Sequence, residues 1–167
     1  MRGRLQFLAS LALRERVYGT DSFELVSSLN NLGSALNELG RNDEAKQHLE
    51  RAIPILENLF GPSHPHLAAI LINLGLAVYD LGEYDTALAH YRRAVEIYEE
   101  VLGPEHRMVA PALNNQADVL ASLGEFDEAL RLYERSIRIR EAAYGPGHPL
   151  LALTLLGHGT ALQTSTG

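Results

Sequence analysis

A chain of 167 residues, 46 % of them hydrophobic, with no cysteine and a formal charge of −7, fits one domain with a continuous core. The missing cysteines exclude disulfide frameworks, thiolate nucleophiles and sulfur-ligated zinc, and the acidic balance argues against a counterion-displacing grip on nucleic acid. No apolar run approaches the ~18 residues a spanning helix needs, so no membrane partner is expected.

At the start of the chain, Met1, Arg2, Gly3 and Arg4 precede an apolar stretch to Leu13 and have the outline of a short export leader. The rest of the sequence supplies a different account. A displacement of 126 residues carries Ser10, Arg14, Glu15, Tyr18 and Gly19 onto Ser136, Arg140, Glu141, Tyr144 and Gly145, and Leu11 and Leu13 onto Ile137 and Ile139. Residues 5–18 are therefore expected to form the second helix of an incomplete repeat, and the leader reading is set aside in favour of cytoplasmic placement.

The period behind that match is 42 residues: Gly19, Gly61, Gly103 and Gly145 are so spaced, and so are Gly40, Gly82 and Gly124. A unit of this size cannot bury an apolar face alone, so copies must stack and share a core. The expected organisation is a single domain over 1–167, with a half repeat at 5–18 and full repeats at 19–60, 61–102 and 103–144. A half repeat at 145–163 and a tail at 164–167 complete it, giving about eight helices. A chain that begins and stops mid-repeat is expected to be a piece of a longer one.

In each repeat the first helix carries apolar residues at helical spacing. The central copy has Ala68, Leu71, Leu74, Val78 and Leu81; Leu29, Leu32, Leu36 and Leu39 precede it, and Leu113, Leu120 and Leu123 follow. The central second helix has Ala87, Tyr91, Ala94, Tyr98 and Val101 on one stripe. Gly33 and Gly75, with Ala117 in the third copy, are expected where paired helices come nearest, because a helix glycine otherwise costs about 1 kcal/mol. Gly40, Gly82 and Gly124 suit left-handed caps, and Asp43, Asp85 and Asp127 complement the start of each second helix. Two prolines break the pattern. Pro54 is expected to bend the second helix that holds it, and Pro111 to make the third repeat's first helix begin late or kink.

Leu29-Asn30-Asn31-Leu32-Gly33, the stretch Leu-Gly-Glu-Tyr-Asp-Thr-Ala-Leu at 81–88 and Tyr-Arg-Arg-Ala-Val-Glu-Ile-Tyr-Glu at 91–99 together resemble a tetratricopeptide repeat. The 42-residue period and Leu-Gly-Pro-Glu-His at 102–106 resemble the kinesin-light-chain-like subclass. The resemblance implies an all-α, right-handed superhelical solenoid of antiparallel helix pairs. It also implies a protein-interaction scaffold whose first helices line a concave groove.

Catalytic and metal chemistry find little support. His64, His106 and His148 recur once per period, and equivalent positions of a solenoid do not converge on one ion, so a turn-capping role is expected and no metal. The glycines alternate at 21-residue intervals with no Gly-Lys-Ser/Thr, which is not a phosphate loop, and no Gly-x-Ser-x-Gly elbow is present. Glu57, Glu99 and Glu141 read as a charged helix surface with arginines nearby. An enzyme is disfavoured and no cofactor is expected.

What remains is the groove. Carried over from the family pattern, its residues would be Ser27, Asn30, Asn31, Ser34, Asn37 and Glu38; then Ala69, Ile72, Asn73, Leu76, Tyr79 and Asp80; then Pro111, Asn114, Asn115, Asp118 and Ser122. Asn31, Asn73 and Asn115 form a ladder one period apart. Their amides suit an extended peptide backbone, and they equally suit hydrogen bonds that hold neighbouring helices in register. Those inward positions hold Glu38, Asp80 and Asp118 but no Lys or Arg, so a neutral or basic segment is the expected ligand. Three to five net hydrogen bonds at about 1 kcal/mol each, plus an apolar anchor near Tyr79, imply roughly micromolar affinity. The alternative is a structural module that self-associates through uncapped ends, a homo-oligomer built on the C-terminal helix with its Leu150, Leu151, Leu153, Leu155 and Leu156.

Overall fold

The computed structural model describes Val17 and residues 19–165. Within them the chain forms seven α-helices and no strand: α1 (Phe23–Glu38), α2 (Asn42–Phe60), α3 (Pro65–Asp80), α4 (Tyr84–Leu102), α5 (Val109–Ser122), α6 (Phe126–Tyr144) and α7 (Pro149–Ser165). The half repeat expected over 5–18 lies outside the described residues apart from Val17. Short turns join α1 to α2, α3 to α4 and α5 to α6 into antiparallel pairs.

Local chemistry sets each boundary. α1 starts at Ser22, whose hydroxyl accepts from the Leu25 amide at 3.3 Å. It ends where Gly40 turns left-handed (φ 67°) and the Arg41 amide reaches back to the Leu36 carbonyl at 2.9 Å. The same closure recurs after α3 and α5, from Glu83 to Val78 and from Glu125 to Leu120, each at 2.9 Å. The second helices have no side-chain cap hydrogen bond; Asp43, Asp85 and Asp127 sit in their first turns and act on the helix dipole instead. The periodic histidines are local caps: Nδ1 of His64, His106 and His148 accepts from the amide two residues on at 3.2–3.3 Å.

α5 begins late, at Val109, which leaves Pro111 in the first turn, where a missing N–H breaks no helical bond. α2 runs through Pro54 unbroken, with that ring on its exposed face.

The core is the expected pair of stripes. Leu29, Leu49, Leu56, Leu67, Leu71, Leu74, Tyr91, Leu113, Leu120 and Tyr133 are all essentially sealed from solvent. The stripes are shorter than expected, however. Leu39, Leu81 and Leu123 follow the last helical residue of their helices and are exposed, as is Val101, because the paired helix no longer covers them. Gly33 and Gly75 are the close crossings: a Cβ on Gly33 would lie 2.5 Å from Leu49 Cγ, and one on Gly75 2.6 Å from Tyr91 Cε1.

The layers differ. α1, α3, α5 and α7 pack on one another in succession, whereas the backbones of α2, α4 and α6 pack only against the first helices beside them. The first helices thus make a continuous inner layer. Arg93 on α4 meets Glu57 on α2 at 2.5 Å, and Arg135 on α6 meets Glu99 on α4 at 2.7 Å. The periodic glutamates at 57 and 99 therefore tie neighbouring second helices together and are not merely a solvated face.

Candidate functional site

The inner layer presents the inward positions along one face, and their side chains divide into two kinds. The first kind closes the stack. Asn73 Nδ2 donates to Asn30 Oδ1 at 2.9 Å, and Asn37 Nδ2 donates to the Asn73 carbonyl at 2.8 Å. These bonds join α1 to α3, and Asn37 is buried in making them. The ionisation of the Tyr91 hydroxyl is pushed up chiefly by burial and then by the nearby Asp118 and Asp80, with the Asn115 amide acting the other way. Of the two roles open to the asparagine ladder, the structure displays the register-holding one at Asn73, while Asn31 is exposed.

The second kind faces outward. Leu76, 39 % exposed, and half-buried Ile72 and Tyr79 give α3 an apolar strip, flanked by exposed Glu38 and Asp80. Asp80 accepts from Asn42 Nδ2 at 3.3 Å.

Two recesses open on this face. A small one of about 200 Å³ is lined by Phe23, Val26, Ser27, Asn30, Asn31, His66 and Ile70. A larger one, about 680 Å³, gathers Tyr79, Asn114, Asn115, Asp118 and Ser122 with residues from α6 and α7. Asn37, Glu38, Ile72, Asn73, Leu76 and Asp80 line neither. Five of the expected groove residues therefore converge at the α5 end, namely Tyr79, Asn114, Asn115, Asp118 and Ser122.

The larger recess is a connected polar floor under apolar walls. Ser122 donates to the Asp118 carbonyl at 2.9 Å, so the Tyr79 hydroxyl donates to Ser122 Oγ, also at 2.9 Å. Asp118 takes two side-chain donors, Tyr133 Oη at 2.5 Å on Oδ1 and Asn114 Nδ2 at 3.0 Å on Oδ2. Burial raises its carboxyl above the usual range and outweighs those two bonds, which pull the other way. Burial and the Asp118 charge together push the Tyr133 hydroxyl up. Asn114 Oδ1 is buried with no donor.

Residues outside the expected set complete the recess: Phe126, Tyr133, Leu156, Gly157, Thr160, Ala161 and Thr164. The signal that finds several of them is the period itself. Moving Asn114, Asn115, Asp118 and Ser122 on by 42 residues lands on Leu156, Gly157, Thr160 and Thr164 of the fourth first helix. Among the described residues no three His, Asp or Glu side chains converge to hold a metal ion, and no helix is long and apolar enough to cross a membrane.

Comparison with known proteins agrees with this architecture. The tetratricopeptide repeat family model matches residues 6–58, 24–100, 66–142 and 108–166. No curated protein matches the chain. Among solved structures, BtubC (BKLC) from P. vanneervenii superposes with a TM-score of 0.82 at 21 % identity, over 99 % of this chain and 68 % of that one. A Podosopora anserina putative kinesin light chain with nearly identical TPR-like repeats gives 0.77 at 21 % identity, over 96 % of this chain and 76 % of its own. A point variant of that same protein gives 0.79 with the same identity and coverage. These structural relatives are kinesin-light-chain-like repeat proteins.

Proposed function

Because the chain belongs to the tetratricopeptide repeat family, whose members are in general protein-interaction scaffolds without catalysis, we propose that it binds an extended segment of a partner protein along its inner face. The observation that carries this reading is the exposed apolar strip of Ile72, Leu76 and Tyr79 running into the recess beside α5. Side chains of the inner face that serve stacking are already engaged, and Leu76 is not needed for it. A neutral or basic segment suits the negative potential of Glu38, Asp80 and Asp118. The expected affinity is about micromolar. Cytoplasmic partners are the natural class for such a scaffold.

The test is capture on an array of neutral, basic and acidic dodecamer peptides by wild type and by Leu76→Arg. Loss of capture of about tenfold or more, with an unchanged thermal melt, is expected for the variant. Undiminished capture by Leu76→Arg sinks the groove assignment.

A second function, self-association through α7, is favoured by one observation. Leu150, Leu155 and Leu156 are 45–68 % exposed, and a Cβ on Gly159 would meet nothing within 4 Å. Light scattering over a concentration series decides it: a strict monomer at high concentration removes this reading.

A further inference from the structure

Four residues share one register position of the first helices: Ser34, Leu76, Asp118 and Thr160, each 42 residues from the next. Only one of them is acidic. Stacking does not require a carboxylate there, since the other copies pack with a hydroxyl or an alkyl group at that place. Yet Asp118 is partly buried, on the floor of the larger recess described above, with the Tyr133 hydroxyl and the Asn114 amide holding its two oxygens in fixed directions. No Lys or Arg is among the residues lining that recess, and the cations with described ion pairs are engaged elsewhere: Arg41 with Glu44, Lys46 with Glu83, Arg93 with Glu57 and Arg135 with Glu99. The orphaned Asn114 Oδ1 adds a second buried acceptor beside the carboxylate. A partly desolvated negative group with hydrogen-bond donors but no counterion makes a strongly negative local field.

The walls suit a cation on an alkyl stem. Tyr79 and Phe126 contribute half-buried aromatic rings, whose faces attract guanidinium and ammonium groups. Leu156 and Ala161 supply apolar surface for methylenes. The fourth copy has Gly157 where the earlier copies have Asn31, Asn73 and Asn115, so that position lines the recess with backbone and sends no side chain into it. A Cβ on Gly157 would lie 3.0 Å from the Tyr133 ring and hydroxyl, so the ring rests against bare backbone. At about 680 Å³ the recess is within the range of small-ligand sites.

We propose that this recess takes an Arg or Lys side chain of the bound segment, its cationic head on Asp118 and its stem along Leu156 and Ala161. This deepens the inner-face reading above and rests on it: the recess fixes the register of a peptide that the Ile72–Leu76–Tyr79 strip holds non-specifically. Arginine is the better fit, because its planar fork can serve the carboxylate and stack on a ring at once.

The experiment compares N-acetyl-arginine methylamide with its neutral isostere, N-acetyl-citrulline methylamide, by titrating each into the isotopically labelled 167-residue chain and following backbone amide shifts. Saturable shifts at Ser122, Tyr133 and Gly157 are expected for the arginine compound, with at least about tenfold weaker binding of the citrulline compound. Asp118→Asn is expected to erase that preference. The substitution is gentle, since the new amide still accepts from Tyr133, and Asn114 can flip to offer its orphaned oxygen to the new donor. Asp118 carries a raised folded-state pKa, so its charge opposes folding at neutral pH and the variant is expected to melt no lower than wild type. Thr160→Lys, which places a tethered ammonium in the same recess, is expected to block the arginine compound.

Equal binding of the two compounds, or a preference that survives Asp118→Asn, overturns the proposal. The peptide array separates this from failure of the broader reading. Capture that is sensitive to Leu76→Arg but shows no arginine preference leaves the groove standing and removes the cation recess. Arginine-compound binding without any peptide capture removes the groove and leaves a cation site for some other ligand.

Discussion

The middle of the stack and its last helix use the same register positions for opposite ends. In α3, Asn73 reaches across to Asn30 on α1, and Gly75 is bare so that Tyr91 can press against the backbone. In α7 the equivalent residues are Gly157 and Gly159. Gly157 carries no amide to bridge with, and a Cβ on Gly159 would meet nothing. The first pair is explained by packing alone. The second pair is not: Gly157 lines the larger recess with the Tyr133 ring against its backbone, and Gly159 faces open space. In a repeat protein the informative residues are those that break the repeat's own rule.

Four substitutions test that contrast. The largest effect is expected from Gly75→Ala, which drives a methyl group into the fully buried Tyr91 ring. Overpacking of this kind costs about 2 kcal/mol after the gain in helix propensity, or roughly 4–8 °C in the melting temperature of a domain this size. Circular dichroism melts measure it, and an unchanged melt means the crossing is looser than 2.6 Å to Tyr91 Cε1 implies. Gly159→Ala should have the opposite sign, because the same methyl meets open space and only the propensity gain of up to about 1 kcal/mol remains. A destabilised Gly159→Ala variant would show that α7 is covered after all.

Asn73→Ala is expected to lose about 1 kcal/mol, since it removes one side-chain bond to Asn30 but keeps the backbone carbonyl that Asn37 uses. Asn31→Ala, at an exposed equivalent, should change the melt by less than about 0.5 kcal/mol. If the two behave alike, the register-holding role is wrong.

Acid supplies the smallest and most gradual effect. His48, His64 and His90 all have pKa values lowered chiefly by burial; next come Arg51 for His48, His66 for His64, and Arg93 then Lys46 for His90. A depressed folded-state value means that their contribution is intact above the ordinary histidine value and drains away as the pH falls below it. The melting temperature is therefore expected to fall between about pH 6.5 and 5 and to stay flat from about pH 7 to 8. A flat profile throughout indicates that these side chains remain solvated in the folded state.

The helices, their turns and the close crossings were legible because each rests on local chemistry repeated in register. Counting places Gly33 and Gly75 at close crossings, and the structure supplies Leu49 and Tyr91 as the side chains they face. The site was legible only in part, and for a physical reason. Which inward residue serves stacking and which faces a ligand depends on how far neighbouring helices stand apart, and periodicity carries no information about that distance. Asn73 and Leu76 are indistinguishable by spacing, yet one is bonded into the stack and the other faces out. Leu39, Leu81 and Leu123 match the helical spacing and still fall beyond their helices' ends. The recess does not emerge as a unit from the three full repeats, because five of its lining residues come from α7, the first helix of the incomplete one.

The separation of the second helices has a mechanical consequence. In a bent beam the material along one line keeps its length while the opposite side stretches or shortens. Here the inner layer is that line, its helices in direct contact and bridged by hydrogen bonds such as Asn73–Asn30 and Tyr79–Ser122. On the outer side α2, α4 and α6 are bridged by charged side chains such as Arg93–Glu57 and Arg135–Glu99, with the first helices packed between them. Such partly exposed pairs weaken as salt rises. The curvature of the stack is therefore expected to relax as salt rises, and an unchanged small-angle scattering profile across a salt series would show that the outer pairs do not set it.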